Sequence, residues 1–451
     1  MPHVPPPSDA RLKHRSAADQ FLSRRTFALA AGGGLLGAMG LDALAAPKLG
    51  NQLQREQKRV LMIFLNGGMS QFESWDPKPG RPTGGPFMAI PTTIPGYRIS
   101  ELMPKMATCI HRHTSILRCQ QGFGDHTDFT IFGGKPKAGL VRYPSLGPML
   151  ARELADPNSQ VPHHVMFTNY LGANYFESAG FLGSTWDPIN IAPERINPTA
   201  PFTIGLSRLR LAPPSNALPD SITDADHRER EALRAQLSQR FGVGRSRDGV
   251  LLSHGGAYGR VRGMMESAKL FDIEQEPAQM RARYGSTPFG QQALVARRLI
   301  EAGVPYVRVN RGWWDHHGQN FEFHQEMVPE LDHVLSVLLG DLEDRGLLKH
   351  TLVVTFSEMG RTPTINGNQG RDHYPRMSVT LSGCGIRPGV VHGSTNEDGT
   401  EVSTGHVTLQ QFFATVMRAV GVDHQKEIDN VDGRPVPLTD YGTEPVSAVL
   451  A

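Results

Sequence analysis

Two short stretches of the sequence place carboxylate and imidazole side chains next to each other. One is Asp315-His316-His317, and the other runs from Glu358 to Asp372-His373. Carboxylates combined with imidazoles are ligands for Zn²⁺, Mn²⁺ or iron, and a set with few histidines also suits Mg²⁺ or Ca²⁺. The pattern therefore predicts a divalent metal site and leaves the identity of the metal open.

Each stretch follows an apolar, β-rich segment. Val304–Asn310 precedes the first stretch and Thr351–Phe356 precedes the second, and a predicted helix, Gln319–Arg345, connects them, with Pro329 as a candidate kink. A strand–helix–strand unit makes its two strands parallel, with a right-handed crossover. Because ligands of open α/β sheets bind beyond the carboxyl ends of the strands, both polar loops are expected at the same edge.

A further strand, Val60–Leu65, is predicted at the start of the fold and runs into a glycine-rich turn. Glycines at a strand end allow a tight turn and close approach to a ligand. Asn66 offers an oxygen to a metal. Ser70 is either a substrate contact or an ordinary helix cap.

The predicted second strand, Thr114–Arg118, leads to His126 and Thr127, and a third strand is predicted at His164–Thr168. His126 and Thr127 are expected at a helix N-terminus, where free N–H groups favour an anion. Helix capping by Asp125 or Thr127 is the alternative.

Two arginines flank the second acidic stretch. Arg361 and Arg371 are placed to bind an anionic oxyester through paired N–H groups. Ion pairs with Glu358 or Asp372 are the alternative interpretation.

Composition limits the function classes. The 451-residue chain has a formal net charge of +2, which argues against a general nucleic-acid-binding protein. Gly (48) and Pro (34) are frequent, which indicates many loops. The three cysteines, Cys109, Cys119 and Cys384, give no disulfide framework and are interpreted as small buried residues.

The N-terminus has the features of an export signal. Arg24 and Arg25 form a twin-arginine pair, followed by a short glycine- and alanine-rich apolar run that Asp42 interrupts. We interpret residues 1–46 as a signal peptide for the bacterial twin-arginine (Tat) export machinery, and 47–58 as a linker. This predicts a periplasmic or extracellular protein with no stable membrane span.

The remaining residues, 59–445, are predicted to form a single α/β domain with a long loop insertion near 172–219. Helices at Asp224–Phe241 and Tyr258–Phe271 are expected to cover the sheet, because apolar residues recur in them at helical spacing. Further predicted elements are a helix at Pro288–Ala302, a strand at Met377–Leu381, an edge strand at Val390–Gly393 and a helix at His406–Val420.

An ordered set of motifs extends over nearly the whole predicted domain. It consists of Phe64-Leu65-Asn66-Gly67-Gly68-Met69-Ser70, Trp75-Asp76-Pro77-Lys78-Pro79, Tyr143-Pro144-Ser145-Leu146-Gly147, Tyr284-Gly285, Ala296-Arg297-Arg298-Leu299, Trp314-Asp315-His316-His317, Glu358-Met359-Gly360-Arg361-Thr362-Pro363 and Gly370-Arg371-Asp372-His373. In this order the motifs resemble a family of Tat-exported, sulfatase-like bacterial proteins, a domain of unknown function in the alkaline-phosphatase-like superfamily.

The resemblance implies a central, mostly parallel sheet between helix layers. It also implies hydrolysis of phosphate or sulfate esters, with one or two metals at the strand ends. By resemblance, Asn66 takes the place of a first-strand metal aspartate and Glu358 that of an acidic ligand. Asp315, His317 and His373 look like the remaining ligands.

The sequence departs from the enzymes of that superfamily at two places. The first-strand carboxylate is an amide, Asn66, and the nucleophile position has His126-Thr127. Because no Cys-x-Pro-Ser-Arg motif occurs, formylglycine chemistry is not expected, and Thr127 or Ser70 is the candidate nucleophile. Two functions follow: a metal-dependent hydrolase of a small anionic ester or of a sulfated or phosphorylated glycan, or a non-catalytic exported scaffold that binds an anionic glycan or a partner protein.

Overall fold

The computed structural model describes residues 57–126, 142–156, 159, 161–168, 177–195, 207–208, 210–213, 221–243, 258, 263, 265, 267–429 and 433–451. The predicted signal peptide, most of the predicted linker, Thr127 and parts of the predicted insertion at 172–219 lie outside these residues. The described residues belong to one compact unit that begins at Arg55.

The described secondary structure follows the chain in this order. The α-helices are α1 (Pro104–His113), α2 (Leu146–Leu154), α3 (Asp224–Gly242), α4 (Ala278–Tyr284), α5 (Pro288–Glu301), α6 (Asn320–Asp344) and α7 (Leu409–Ala419). The strands are β1 (Arg59–Leu65), β2 (Ala89–Pro91), β3 (Arg98–Ser100), β4 (Thr114–Gln121), β5 (His164–Phe167), β6 (Ile189–Ile191), β7 (Glu194–Arg195), β8 (Ser207–Arg208), β9 (Tyr306–Arg311), β10 (Thr351–Phe356), β11 (Gly360–Arg361), β12 (His373–Tyr374), β13 (Arg376–Gly383), β14 (Val391–His392), β15 (Ser394–Thr395), β16 (Val402–Thr404), β17 (Glu427–Asp429) and β18 (Pro435–Pro437).

Eight of the described strands form the central sheet, in the order β14-β4-β13-β10-β1-β9-β5-β6. Strand β13 is antiparallel to β10 and β4, and the other neighbouring pairs are parallel. Strands β9 and β10 are therefore parallel, as predicted, although β1 lies between them. The carboxyl ends of β9, β1 and β10 meet at one edge of the sheet, where the polar loops begin.

Strand β1 shows why the sheet has helices on both faces. All seven of its residues are buried. Leu61 and Ile63 pack into a core with residues of α5 and α6, whereas Met62 and Phe64 pack with residues of α2 and α7. A strand buried on both faces needs a continuous apolar sequence, which β1 has. The predicted fold class, an α/β architecture with a mostly parallel sheet between helix layers, is confirmed.

Helix α6 remains one helix although Pro329 lies inside it. The prediction for α3 is wrong, because α3 has no buried residue and so does not cover the sheet. Its apolar residues Leu233, Leu237 and Phe241 are each more than half exposed. Among the described residues, we find no helix that combines the length and the apolar character needed to span a membrane.

Burial of His164 on β5 makes stability depend on pH. Desolvation lowers the pKa of His164 from 6.5 to about 4. The imidazole of His164 therefore binds a proton more readily in the unfolded chain than in the folded one. Its contribution to the free energy of unfolding is complete above pH 6.5 and decreases as the pH falls toward 4. We expect a loss of about 3 kcal/mol across this interval. In His164→Gln, the free energy of unfolding measured against pH should lose this slope, and an unchanged slope would contradict the prediction.

Candidate metal centre

Three pieces of backbone pairing bring the two polar loops together at the carboxyl edge. Arg361 of β11 pairs with His373 of β12, which folds the second loop back on itself. An isolated bridge between Gly318 and Gln369 connects this loop to the first one. In addition, the peptide N–H of Trp314 donates to the carbonyl of Asn66, 3.2 Å away, which attaches the first loop to the end of β1.

Three ligand atoms converge where these loops meet. Nε2 of His317 is 3.0 Å from Oδ1 of Asp315 and 3.1 Å from Nε2 of His373. Nε2 of His373 is 3.2 Å from the same oxygen of Asp315. Ligands at the usual Zn–N and Zn–O distances are about 3.3 Å apart in a tetrahedral site. The spacing of these three atoms therefore fits one tetrahedral metal ion.

The second nitrogen of each imidazole already has an acceptor. Nδ1 of His317 is 2.7 Å from Oδ1 of Asp372, and Nδ1 of His373 is 3.1 Å from the carbonyl oxygen of Gly124. If each Nδ1 donates its proton there, both Nε2 atoms present lone pairs to each other and to Asp315. Metal-binding histidines are held in this way in known sites, and a cation among the three atoms removes the repulsion.

His126 offers a different third ligand. His126, Asp315 and His373 each have a ligand atom within 4.8 Å of the others. This set and the first one share Asp315 and His373. We favour His317 as the third member because its Nε2 is 3.0 Å from Asp315 and 3.1 Å from His373.

His126 lies between two carboxylates. Its Nδ1 is 3.0 Å from Oε1 of Glu358, and its Nε2 is 3.1 Å from Oδ2 of Asp315. Burial alone would lower the pKa of His126, but the hydrogen bonds to Asp315 and Glu358 outweigh it and raise the pKa to about 9. At neutral pH His126 is therefore an imidazolium that donates from both nitrogens.

The two acidic side chains next to His126 differ in their surroundings. Partial burial would raise the pKa of Asp315, but the contacts with His126, His373 and Arg361 outweigh it and hold the pKa far below its usual range. Glu358 is buried and also accepts a 2.7 Å hydrogen bond from the peptide N–H of Gly67. Asp315 thus supplies one of the three ligand atoms through Oδ1 and contacts His126 through Oδ2. Glu358 connects His126 to the turn after β1.

Two other predicted ligands, Asp372 and Asn66, are not among the three converging atoms. Asp372 is exposed, and of the three candidate ligands it contacts His317. Asn66 is buried at the end of β1, and its side-chain nitrogen has no hydrogen-bond partner among the described residues. Since amide N and O are assigned from their partners, the reversed assignment would place an oxygen at this buried position. An orphaned amide oxygen at this edge is consistent with a cation nearby.

The structure places four predicted residues differently from the sequence interpretation. Neither Arg361 nor Arg371 is available to bind an anion at the carboxyl edge of the sheet. Both guanidinium groups are fully buried and donate hydrogen bonds to acceptors within the protein. Ser70 is also fully buried, and its Oγ accepts a hydrogen bond from the N–H of Phe72. His316 stacks on Phe323 with ring centroids 3.9 Å apart, and burial lowers the pKa of His316 to about 4.

Sequence reasoning missed the residues that hold these arginines. Arg371 forms an ion pair with Glu73 at 2.8 Å, and the side chains of both are fully buried. Gln71 forms two hydrogen bonds with the backbone of Arg361. Both partners belong to the turn after β1, and the available signal was the mixture of polar and apolar residues from Met69 to Trp75.

Fold and site together define an α/β protein with a mixed imidazole and carboxylate cluster at the carboxyl edge of a mostly parallel sheet. Residues 57–450 match the family described as "Protein of unknown function (DUF1501)", and the chain belongs to that family. No curated protein matches the chain.

Several solved structures are similar. The PsFucS1 sulfatase from Pseudoalteromonas sp. has 12% identity and a TM-score of 0.39, over 88% of this chain and 72% of that one. The lipoteichoic acid synthase LtaP from Listeria monocytogenes has 9% identity and a TM-score of 0.34, over 81% and 72%. Ps i-CgsB in complex with k-i-k-neocarrahexaose has 8% identity and a TM-score of 0.36, over 81% and 73%.

Proposed function

We propose that this protein is an exported, metal-dependent hydrolase of phosphate or sulfate esters. The observation that carries the proposal is the convergence of Asp315, His317 and His373, whose ligand atoms are 3.0, 3.1 and 3.2 Å apart. Zn²⁺, Mn²⁺, Ca²⁺ and Mg²⁺ are the candidate ions. Two imidazoles in the set favour a transition metal over Mg²⁺ or Ca²⁺.

Each residue of the cluster has a distinct role in this proposal. Asp315, His317 and His373 hold the metal, and Asp372 keeps His317 in the required tautomer. A bound metal polarises an ester oxygen and lowers the pKa of a bound water. His126 holds a proton on Nε2 beside Asp315 and is placed to donate it to the departing alcohol oxygen. The substrate is a small anionic ester, or a sulfated or phosphorylated glycan.

The proposal predicts the metal content of the purified protein. We expect one divalent transition metal ion per chain, because the ligand atoms of Asp315, His317 and His373 among the described residues have the spacing of a single tetrahedral site. Chelation should abolish hydrolysis of aryl phosphates or aryl sulfates, and added metal should restore it. Elemental analysis and a colorimetric assay measure both. Protein that retains no metal and hydrolyses neither ester class would refute the proposal.

A second function is favoured by one observation. Ser70, one candidate nucleophile, is fully buried and its Oγ accepts a hydrogen bond from the N–H of Phe72, so Ser70 is not a nucleophile for a ligand at the cluster. A non-catalytic scaffold that binds an anionic glycan or a partner protein would need no nucleophile. Binding of a sulfated glycan that survives Glu358→Ala combined with His373→Ala would support this function over hydrolysis.

Export through the Tat machinery to the periplasm or beyond is part of the proposal and rests on the sequence of residues 1–46. Replacing Arg24 and Arg25 with lysine should retain the protein in the cytoplasm. Cell fractionation measures this outcome. Unchanged export of the double variant would exclude the twin-arginine route.

A further inference from the structure

Arg361 has an unusual set of acceptors for a residue beside a metal site. Its side chain is fully buried. Nε donates to the carbonyl of Gly68 at 2.8 Å, and Nη1 donates to the carbonyl of Arg371 at 3.2 Å. Nη2 donates to the carbonyl of Gly67 and, at 2.7 Å, to Oδ1 of Asp315. One guanidinium therefore connects the turn after β1 to the carboxylate shared by the candidate ligands.

The backbone of Arg361 is held from the same turn. The side-chain amide of Gln71 donates to the carbonyl of Arg361 at 2.8 Å and accepts from its N–H at 3.0 Å. The side-chain amide of Gln71 thus takes the place that a backbone peptide group of a neighbouring strand would occupy. The turn and Arg361 thus hold each other, which fixes both the position and the direction of the guanidinium.

Glycine is required in the turn for this contact. Gly67 has φ +109 and Gly68 has φ +85, in the left-handed region that favours glycine. A Cβ on Gly67 would lie 2.7 Å from the peptide nitrogen of Asp315, and one on Gly68 would lie 2.6 Å from Cγ of Met359. Side chains at these positions would separate the turn from the two polar loops.

We propose that Arg361 is a positioning residue that fixes the orientation of Asp315, so that Oδ1 faces His317 and His373 while Oδ2 faces His126. This inference rests on the proposed metal site. Arg361 does not touch the substrate, because its donors are directed at three carbonyls and one carboxylate inside the protein. Lysine cannot replace it, since a single ammonium nitrogen cannot span acceptors that the planar guanidinium reaches from three nitrogens.

The test measures Zn²⁺ affinity of the full-length protein by competition with a chromogenic chelator. Loss of a partner that orients a ligand weakens metal binding by about 10- to 100-fold. We expect this loss in Arg361→Lys and Arg361→Gln, together with an altered visible absorption spectrum of the Co²⁺-substituted protein. Arg371→Lys is the matched control, because Arg371 is equally buried and has no side-chain contact with Asp315 among its hydrogen bonds.

The outcomes separate this inference from the proposed function. Wild-type affinity in Arg361→Lys, or an equal loss in Arg371→Lys, overturns the positioning role while the metal site remains. If the wild-type protein binds no metal, the proposed function fails, and crystal structures of wild type and Arg361→Gln then decide: an unchanged Asp315 orientation overturns the inference. If the Arg361 variants do not fold, Gln71→Ala replaces them, and it should weaken Zn²⁺ binding in the same direction.

Discussion

Asp315→Asn is expected to abolish metal retention. Each oxygen of Asp315 accepts from a donor: Oδ1 from Arg361, and Oδ2 from His126. An asparagine has one NH₂ group, which must face either the guanidinium or the imidazolium in place of an acceptor. The variant thus loses the negative charge and gains an unfavourable donor–donor contact in both amide orientations.

We expect Zn²⁺ affinity to fall by more than about 100-fold in Asp315→Asn, a larger loss than removal of an orienting partner causes. Metal content after dialysis, measured by elemental analysis, gives the result. Asp372→Asn is the matched control in the neighbouring loop, because its amide oxygen can still accept from Nδ1 of His317. Equal metal content in Asp315→Asn and the wild type would contradict the assignment of Asp315 as a ligand.

Glu73→Gln is expected to lower the free energy of unfolding strongly, although Glu73 does not contact the candidate ligands. Arg371 and Glu73 form an ion pair with both side chains fully buried, and the guanidinium also lies 4.6 Å from the ring centroid of Phe72. Neutralising one member of a buried pair leaves an uncompensated charge, which costs about 3–5 kcal/mol. The effect should be seen as a lower denaturant midpoint and a lower Tm.

An exposed ion pair provides the control for Glu73→Gln. Arg81 and Glu397 form an ion pair in which both side chains are exposed, and Glu397→Gln should change stability by less than about 1 kcal/mol. In contrast, Glu73→Gln, Arg371→Met together should recover part of the loss, because no charge then remains buried alone. Equal midpoints for Glu73→Gln and Glu397→Gln would show that burial of the Arg371 pair is not important for stability.

The apolar patterns in the sequence located the main strands closely. Thr351–Phe356 is a strand with the predicted bounds, and the strand predicted at Val304–Asn310 lies at Tyr306–Arg311. Both are recognisable because a strand covered on both faces must be apolar throughout. The meeting of the two polar loops followed from the same reasoning, since parallel strands end at a common edge.

The roles of the charged residues could not be predicted in the same way. Arg361 and Arg371 were interpreted as anion-binding residues because they flank the cluster of acidic and imidazole side chains in the sequence. Both guanidinium groups have acceptors in the turn after β1, nearly 300 positions earlier in the chain. Only tertiary structure shows that this turn occupies both guanidinium groups. The prediction that α3 covers the sheet was wrong for a related reason. The helical spacing of its apolar residues does not show whether another part of the protein packs against them.

The long sequence separation of the site's contacts determines when the site can form. His126 and Asp315 are 189 positions apart, and Gly67 and Glu358 are 291 apart. A chain still emerging from the ribosome lacks an imidazole of the three-atom set until His373 has been synthesised. An ion bound at the proposed site would therefore enter only after most of the chain has been translated.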